Sequence, residues 1–434
     1  MKKKEKEEEK KKNIKKDNKT EKKENITNIL KNKVKKKDKD NFNLKEVIVV
    51  MLFSLCVGFV LCFSLVSLLS GKNYFRVIHD LDKVMDTYYA IVDNYYGDLD
   101  KTSLVDGAVE GMISSVGDSF TSYTNTDDTI NFNEKITGSY EGIGCSVATY
   151  LDGTIVVVSV FEDSPAKKAG LEVGDIVLKV DGESYEGKTS NDLANHVKDS
   201  GKSSVVLTIK RGEEEEKDIT INLSKVEIPY VTGEVIENNG KKIGYIGISL
   251  FAGTTYNQFE NKLKELEKEK IEGLIIDVRS NSGGYLTSVT DICSLFLKKD
   301  SVIYQLEDTT GTVKKKDTTK EKRTYPIVVL INKESASASE ILASAIKESY
   351  NGLVVGTNSY GKGTVQQTKK LLDGSMIKYT TQKWLTPKGN FINEVGVEPT
   401  NVVELAEEYF ENPTRETDNQ FQEALKLLTT TEEQ

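Results

Sequence analysis

The sequence has few of the residues on which most metal centres depend. Among 434 residues there are only two histidines and four cysteines. His79 and His196 fall in helix-like surroundings, far along the chain from the serine-rich motif described below. Two isolated histidines do not form the ligand clusters that transition metals prefer. We therefore expect no metal site and no cofactor.

The four cysteines do not indicate a disulfide framework either. Cys56 and Cys62 lie inside an apolar run, and Cys145 and Cys293 fall in segments that we interpret as different domains. No Cys-x-x-Cys pair and no neighbouring histidine accompanies them. Neither disulfide bonding nor metal coordination is indicated.

Charge is distributed unevenly along the chain. Residues 1–45 contain nineteen lysines and nine acidic residues and therefore carry a net charge of +10. The whole chain carries −9, so residues 46–434 carry −19. Residues 1–46 are rich in Lys, Glu and Asn, which predicts a disordered arm. Its interleaved acids and its lack of arginine favour a solvated arm that faces lipid headgroups over a nucleic-acid-binding tail.

Residues 47–69 contain no charged side chain and are rich in Val, Leu and Phe. That length crosses a hydrocarbon core of roughly 30 Å. A cleaved signal peptide, the alternative, would have a shorter apolar region and a small-residue cleavage site, which residues 67–71 match poorly. We predict a single transmembrane signal anchor. The lysines before it place the N-terminus in the cytoplasm and the rest of the chain outside.

Residues 73–136 are predicted to form a helical N-terminal region. Apolar residues recur there at three- and four-residue intervals, and a second helical pattern follows near residues 104–115. This wide apolar stripe suits either an ordinary core or a packing surface for a second copy of the chain.

Residues 137–212 are predicted to form a separate, β-rich domain. Strands are expected at residues 155–160, 175–180 and 204–210, with short helices at 165–169 and 189–199. Gly142, Ile143 and Gly144 precede a strand, and with the turns near Ser164 and Gly174 this pattern resembles a PDZ domain of bacterial proteases. Such a glycine loop offers backbone N–H groups to a peptide's C-terminal carboxylate, although an isolated Gly-x-Gly is more often a simple turn.

Residues 213–428 alternate strands with helices, which predicts a layered α/β core whose site lies at strand ends. Strands are expected at residues 243–248, 273–278, 327–331, 353–355 and 376–384. Helices are expected at residues 256–270, 286–297 and 421–428, and residues 308–323 should form an exposed hairpin. The fold class is therefore multidomain α/β with one N-terminal membrane helix.

A serine-rich run follows the strand at residues 327–331 and leads into a helix. A serine at a helix N-terminus lies beside unpaired N–H groups that stabilise a developing oxyanion. Lys362, between Gly361 and Gly363, is the candidate base, because burial favours the neutral form of a lysine. From these residues alone, helix-capping serines and a solvated lysine explain the pattern equally well.

Three motifs in order resemble the carboxyl-terminal processing proteases, which are serine peptidases with a Ser-Lys dyad. They are residues 277–284 (DVRSNSGG), 335–341 (SASASEI) and 360–366 (YGKGTVQ), and the resemblance extends over about residues 75–428. It implies that Ser337 is the nucleophile, Lys362 the general base and Gln366 a supporting amide.

The same resemblance implies oxyanion donors, a dimer and a substrate class. The oxyanion would be held by backbone N–H groups of Ala338 and of the glycine pair Gly283 and Gly284. The PDZ domain would bind proteins with apolar C-terminal tails, and the helical region would form a homodimer. Two positions depart from the family pattern: Ser282 replaces a common proline and Thr400 replaces a usual aspartate.

Three other functions remain to be weighed. Gly356 to Lys362 reproduces most of a phosphate-binding P-loop, but Gly363 stands where Ser or Thr must hold magnesium. A trypsin-like PDZ protease would need a histidine and an aspartate before the PDZ domain, where only His79 is found. A catalytically weak scaffold that binds peptide C-termini is the third. We expect a membrane-anchored, extracytoplasmic serine endopeptidase that does not bind nucleic acid.

Overall fold

The computed structural model describes residues 23, 25–31, 43–70, 74–320 and 323–430. Most of the lysine-rich arm, for which disorder is predicted, lies outside these residues. The chain divides into two compact units, residues 1–104 and 105–434, which are considered separately.

The first unit contains the apolar helix. Residues 25–31 are helical, and α1 follows at Leu44–Ser70, a 27-residue helix that contains an 18-residue window with a mean hydropathy of 2.8. By length and composition this helix is able to cross a membrane. Helix α2, Tyr74–Asn94, carries the predicted apolar stripe, and several of its side chains are exposed: Val77, Leu81, Val84, Met85 and Tyr89.

Helix α3, Lys101–Ser114, begins in the first unit and ends in the second. Strand β1, Ser122–Thr124, and helix α4, Thr126–Thr137, come next. Strand β1 departs from the helical pattern predicted for residues 73–136, whereas α4 falls within that predicted region. The α4 helix begins at Asn125, whose side chain accepts the Asp128 N–H, and ends at Gly138 in the left-handed conformation that favours glycine.

A six-stranded antiparallel sheet forms the β-rich domain. Its order is β3-β4-β5-β7-β8, with β6 paired to β5, and β3 is an edge strand. The strands are β3 Cys145–Thr149, β4 Ile155–Val160, β5 Ile176–Val180, β6 Glu183–Ser184, β7 Ser204–Lys210 and β8 Lys217–Asn222. Helices α5, Pro165–Lys168, and α6, Ser190–Asp199, cover it. The strands predicted at residues 155–160 and 204–210 are confirmed.

A two-stranded ribbon joins this domain to the layered core. Strand β2, Ser139–Gly142, pairs antiparallel with β9, Ser224–Glu227. The core sheet has the order β10-β11-β12-β15-β16-β19, and all its strands except β10 run parallel. These strands are β10 Val231–Asn238, β11 Lys241–Ile248, β12 Gly273–Asp277, β15 Ile327–Ile331, β16 Leu353–Gly356 and β19 Asn401–Val402.

Helices cover both faces of the core sheet, as its fully buried strands β12 and β15 require. One face packs against α7 Thr255–Lys268, α8 Leu286–Ser294 and α9 Ala338–Ala345, around Phe259 and Phe296. The other packs against α11, Asn419–Thr429, through Phe421, Leu425 and Leu428. Two shorter elements are the π-helix Ile346–Tyr350 and α10 Glu407–Glu411.

A second sheet lies beyond the carboxyl end of β16. Its order is β1-β18-β13-β14, with β17 also paired to β18. The strands are β13 Val302–Asp308, β14 Gly311–Lys316, β17 Thr364–Lys370 and β18 Met376–Leu385. The loops that follow the parallel strands β12, β15 and β16 therefore meet at one edge of the core sheet. They carry the three sequence motifs.

Candidate active site

Ser337 lies in the loop between β15 and α9, immediately before the helix. Its φ is 55° and its ψ is −111°, a backbone conformation that costs free energy for any residue with a side chain. A sharp strand-to-helix turn of this kind presents a serine hydroxyl at the end of a sheet. Ser337 is half-buried, so its side chain remains accessible.

The two neighbouring serines of the run are fully buried and have structural contacts. The Ser335 hydroxyl donates to the Val278 carbonyl oxygen at 2.8 Å, and the Ser339 hydroxyl donates to that of Asn281, also at 2.8 Å. Both bonds attach this loop to the loop after β12. Within the part of the chain that the structure describes, the Ser337 hydroxyl donates no such bond. Of the three, only Ser337 has an accessible hydroxyl.

The Glu340 side chain joins the serine loop to the lysine loop. It is 0% exposed, and its Oε2 accepts the backbone N–H of Ser337 at 2.7 Å and that of Lys362 at 3.0 Å. Its Oε1 accepts from the Ser359 hydroxyl at 2.6 Å and from the Gly361 N–H at 2.7 Å. Burial raises the pKa of the Glu340 carboxyl, and these four hydrogen bonds oppose that rise. One carboxylate thus positions the backbone of both candidate residues.

The residue before Lys362 must be a glycine, because of its backbone conformation and its close neighbours. Gly361 has a φ of 84°, and a Cβ at this position would lie 2.9 Å from the backbone nitrogens of Glu394 and Val395. The Lys362 carbonyl oxygen accepts the indole N–H of the buried Trp384 at 2.7 Å. The lysine is therefore held in place through its main chain.

Burial lowers the pKa of the Lys362 ammonium group below its ordinary value, and the positive charge of Lys378 adds to the effect. The negative charges of Glu340 and Asp118 act in the opposite direction. A lowered pKa increases the neutral fraction of a lysine near neutral pH. This electrostatic environment is the one that a lysine base requires.

Gln366 lies on β17 and does not contact Lys362 directly. Its side-chain amide donates to the hydroxyls of Thr364 at 2.9 Å and Thr380 at 3.1 Å. The Thr380 hydroxyl donates in turn to Asp118 Oδ2 at 2.6 Å. Among the described residues, no hydrogen bond joins the Gln366 amide to the Lys362 side chain. The structure places Gln366 in a network beside the lysine.

The glycine pair lies against the serine loop. A Cβ on Gly283 would be only 2.8 Å from the Cβ of Ser337, so only glycine allows this approach. The Gly283 N–H donates to the Asn281 side chain at 2.9 Å. The N–H groups of Ala338 and Gly284 have no acceptor within the described ranges. Two of the three candidate oxyanion donors are therefore unoccupied.

Asp118 and Phe120 were missed by the sequence reasoning. They precede β1, and the Phe120 ring centroid lies 4.7 Å from Lys362 Nζ. The contact between Asp118 and Thr380 joins residues 262 positions apart. The only local signal for Asp118 is the Gly-Asp turn that it forms with Gly117, and such turns are common.

Two of the candidate peptide-binding residues, Gly142 and Ile143, line a groove of about 270 Å³, whereas Gly144 is not among the described residues that line it. The Ile143 and Gly144 carbonyl oxygens accept N–H groups of Ala166 and Phe161, at 2.8 and 3.0 Å. Gly142 is part of the same lining, between the edge strand β3 and helix α6. Its apolar surface comes from Ile143, Cys145, Val147, Leu193 and Val197.

Three family models match the chain. Peptidase family S41 matches residues 242–403, the PDZ domain matches residues 156–211, and the N-terminal domain of the activating protease CtpB matches residues 68–128. The first two matches include the candidate active site and most of the β-rich domain, respectively.

Curated proteins and solved structures resemble the chain over most of its length. It is 40% identical to the carboxy-terminal processing protease CtpB of Bacillus subtilis (strain 168) over 350 residues, 80% of this chain and 72% of the relative. It is 36% identical to CtpA of the same strain over 340 residues, 78% and 72% of the two chains. The solved photosystem II D1 C-terminal processing protease is 24% identical, covering 86% of this chain and 96% of its own, with a TM-score of 0.45.

Replacing Glu340 with glutamine should destabilise the protein. The glutamine NH₂ would face hydrogen-bond donors in a buried site, so we expect the free energy of unfolding to fall by about 2–4 kcal/mol. Denaturant unfolding of Glu340→Gln measures this loss. Glu348→Gln is the matched control, because among the described residues that carboxylate accepts a single hydrogen bond, from the Lys388 N–H at the surface. Equal stabilities of the two variants would contradict the prediction.

Proposed function

The chain belongs to the carboxyl-terminal processing proteases and is a serine-type peptidase with a PDZ domain, and on this premise we propose that Ser337 and Lys362 form its catalytic dyad. The observation that carries this proposal is the different environment of the three serines. Ser335 and Ser339 are buried with satisfied hydroxyls, whereas Ser337 is accessible at a strained helix start.

The reaction that fits this geometry is acyl transfer. Ser337 Oγ attacks the peptide carbonyl carbon while neutral Lys362 accepts the hydroxyl proton, and the peptide amine then leaves with a proton from the lysine. Water hydrolyses the resulting acyl-enzyme, with Lys362 again as the base. Gln366 supports the lysine through the Thr380 and Asp118 network rather than by direct contact.

The tetrahedral oxyanion would be held by backbone donors at the start of α9 and in the glycine loop. Ala338 and Gly284 supply N–H groups that are free to donate, and the helix start adds a favourable dipole. The Gly283 N–H could take part only by exchanging its bond to Asn281.

The PDZ domain would recognise the substrate before cleavage. Strand β3 is an unpaired edge, and an extended peptide could add to it as a further strand with its terminal side chain in the apolar groove. Gly142 and Ile143 line that groove, and the backbone of the loop from Gly142 to Gly144 would bind the terminal carboxylate. Proteins with apolar C-terminal tails are therefore the proposed substrates.

The remaining parts of the proposal concern location and assembly. The apolar helix α1 would anchor the chain by a single membrane span, with the lysine-rich arm in the cytoplasm and the peptidase outside. The exposed apolar stripe on α2 would serve as the surface between two copies of the chain.

Variants of the dyad test the assignment. A fragment from residue 72 onward is incubated with a protein that bears an apolar C-terminal tail, beside Ser337→Ala and Lys362→Arg. Both variants should lose about 10³-fold or more in kcat, because arginine keeps the charge but cannot act as a base. Lys383→Ala, which removes an exposed lysine of β18, is the control for turnover. Cleavage that survives Ser337→Ala would disprove the nucleophile assignment.

Peptidase activity should rise with pH. Below the folded pKa of Lys362 the base is protonated and inactive, so kcat/KM should fall on acidification and level off once the lysine is neutral. The profile is measured between about pH 6 and 9, with the fold monitored by circular dichroism. A flat profile over this range would exclude Lys362 as the base.

The carboxylate of the tail should contribute to binding. The affinity of a fluorescent apolar-tailed peptide for the Ser337→Ala protein should fall about tenfold when its terminus is amidated, because a charged acceptor of N–H bonds is lost. Fluorescence anisotropy measures both peptides. Equal affinities would place recognition elsewhere than at the Gly142–Gly144 loop.

A further inference from the structure

We infer that Asp118 is a positioning residue for Lys362, providing the negative charge that faces the ammonium ion formed when the lysine takes the serine proton. This inference rests on the proposed dyad and adds to it a residue from outside the S41 family match, which begins at residue 242.

The Asp118 carboxylate is held in one orientation by a set of donors. Oδ1 accepts the Phe120 N–H at 3.0 Å, and Oδ2 accepts the hydroxyls of Thr121 and Thr380, each at 2.6 Å. The Thr380 N–H also donates to the Thr121 hydroxyl at 3.3 Å. A carboxylate with these partners is a fixed charge, because any reorientation would break several bonds at once.

The same turn covers Lys362. Phe120, held by its N–H bond to Asp118, places its ring 4.7 Å from Lys362 Nζ. The ring keeps water away from the amine, and its face attracts the amine once it is charged. Asp118 and Phe120 therefore act on the lysine as one unit.

The remaining charges around Lys362 show why this carboxylate has a distinct role. Glu340 faces the lysine from α9, Lys378 from β18, and Asp118 from the turn before β1. The Glu340 oxygens are occupied by four donors, including the Lys362 backbone N–H. Asp118 is the other negative group among them, and it is not within ion-pair distance of Lys362 in the described part of the chain.

That separation suits a base that must change its charge. A carboxylate in contact would hold the lysine in its ammonium form, whereas one beyond ion-pair distance leaves burial dominant in the resting state. When the proton arrives, the same carboxylate stabilises the new charge. The arrangement parallels the buried aspartate that stabilises the imidazolium ion in a Ser-His-Asp triad.

Asp118 also connects the lysine with Gln366. The Gln366 amide donates to Thr380 Oγ1, which donates to Asp118 Oδ2. Both amide N–H groups are used, because Thr364 takes the second. The amide is thus held in a fixed orientation by a chain of bonds that ends on Asp118.

The test compares the pH profiles of kcat/KM for the wild type and Asp118→Asn. Removing the negative charge disfavours the ammonium form, so the acidic limb should move to lower pH by about half a unit or more. The plateau should fall about tenfold, because the charged lysine loses its counter-ion. Asp118→Glu keeps the charge and should keep the position of the acidic limb.

Asp308→Asn is the matched control. Asp308 accepts the N–H and hydroxyl of Thr310 in its own turn and the Gln382 amide of β18, two residues from Thr380. The Asp308→Asn substitution should change neither the position of the acidic limb nor the height of the plateau in the pH profile. If Asp118→Asn fails to fold, Asp118→Ser replaces it as the neutral variant.

The outcomes separate this inference from the proposed dyad. Loss of plateau activity in the neutral Asp118 variant without movement of the acidic limb would reduce Asp118 to a structural turn residue and overturn the inference. An unchanged profile would also overturn it. Activity that survives in Lys362→Arg would instead remove the dyad itself. Titration of the Lys362 side chain by NMR in a Ser337→Ala background should show the same downward shift on Asp118→Asn.

Discussion

The buried Glu340 carboxylate determines the geometry on which the site depends. Its oxygens accept the N–H groups of Ser337 and Lys362, two residues from loops that follow different strands of the core sheet. The chain has two histidines, both far along the sequence from these residues, and among the described residues no imidazole is hydrogen-bonded to Ser337 or Lys362. The main-chain bonds to Glu340 perform that positioning role. The side chains of the serine and the lysine are left free to exchange a proton, since the carboxylate contacts their backbones only.

The same carboxylate creates an electrostatic conflict that the rest of the pocket must resolve. Its charge favours the ammonium form of Lys362, yet the proposed base must be neutral in the resting state. Burial of the lysine and the like charge of Lys378 act against Glu340 and Asp118, and the net direction is a lowered pKa. Burial of Glu340 raises its own pKa, but four donors hold its charged form. The direction of each pKa shift thus depends on where the neighbouring charges lie and on how well each charged group is hydrogen-bonded.

Local patterns in the sequence predicted much of the core and the central residues of the site. The strand Ile327–Ile331 is confirmed, because a short β-branched apolar run bounded by polar residues has few alternatives. The S41 family match covers the motifs around Ser337 and Lys362. Asp118 was not predicted, since its contact with Thr380 spans 262 positions and leaves no periodic signal. Glu340 was overlooked for another reason: an acidic residue in a first helical turn is expected for the helix dipole alone.

Close packing between two loops explains the small side chains of the serine-rich run. The Ala336 N–H and the Ser339 hydroxyl both donate to the Asn281 carbonyl oxygen, at 3.0 and 2.8 Å, so the loops approach too closely for larger side chains. Ser282, where the family resemblance leads us to expect a proline, is exposed. The Thr400 hydroxyl accepts the Val354 N–H at 3.1 Å, the bond that an aspartate side chain could also accept. The hydrogen bond of Thr400 is thus one that another side chain can reproduce, whereas at Gly283 a Cβ would lie 2.8 Å from the Ser337 Cβ and only glycine fits.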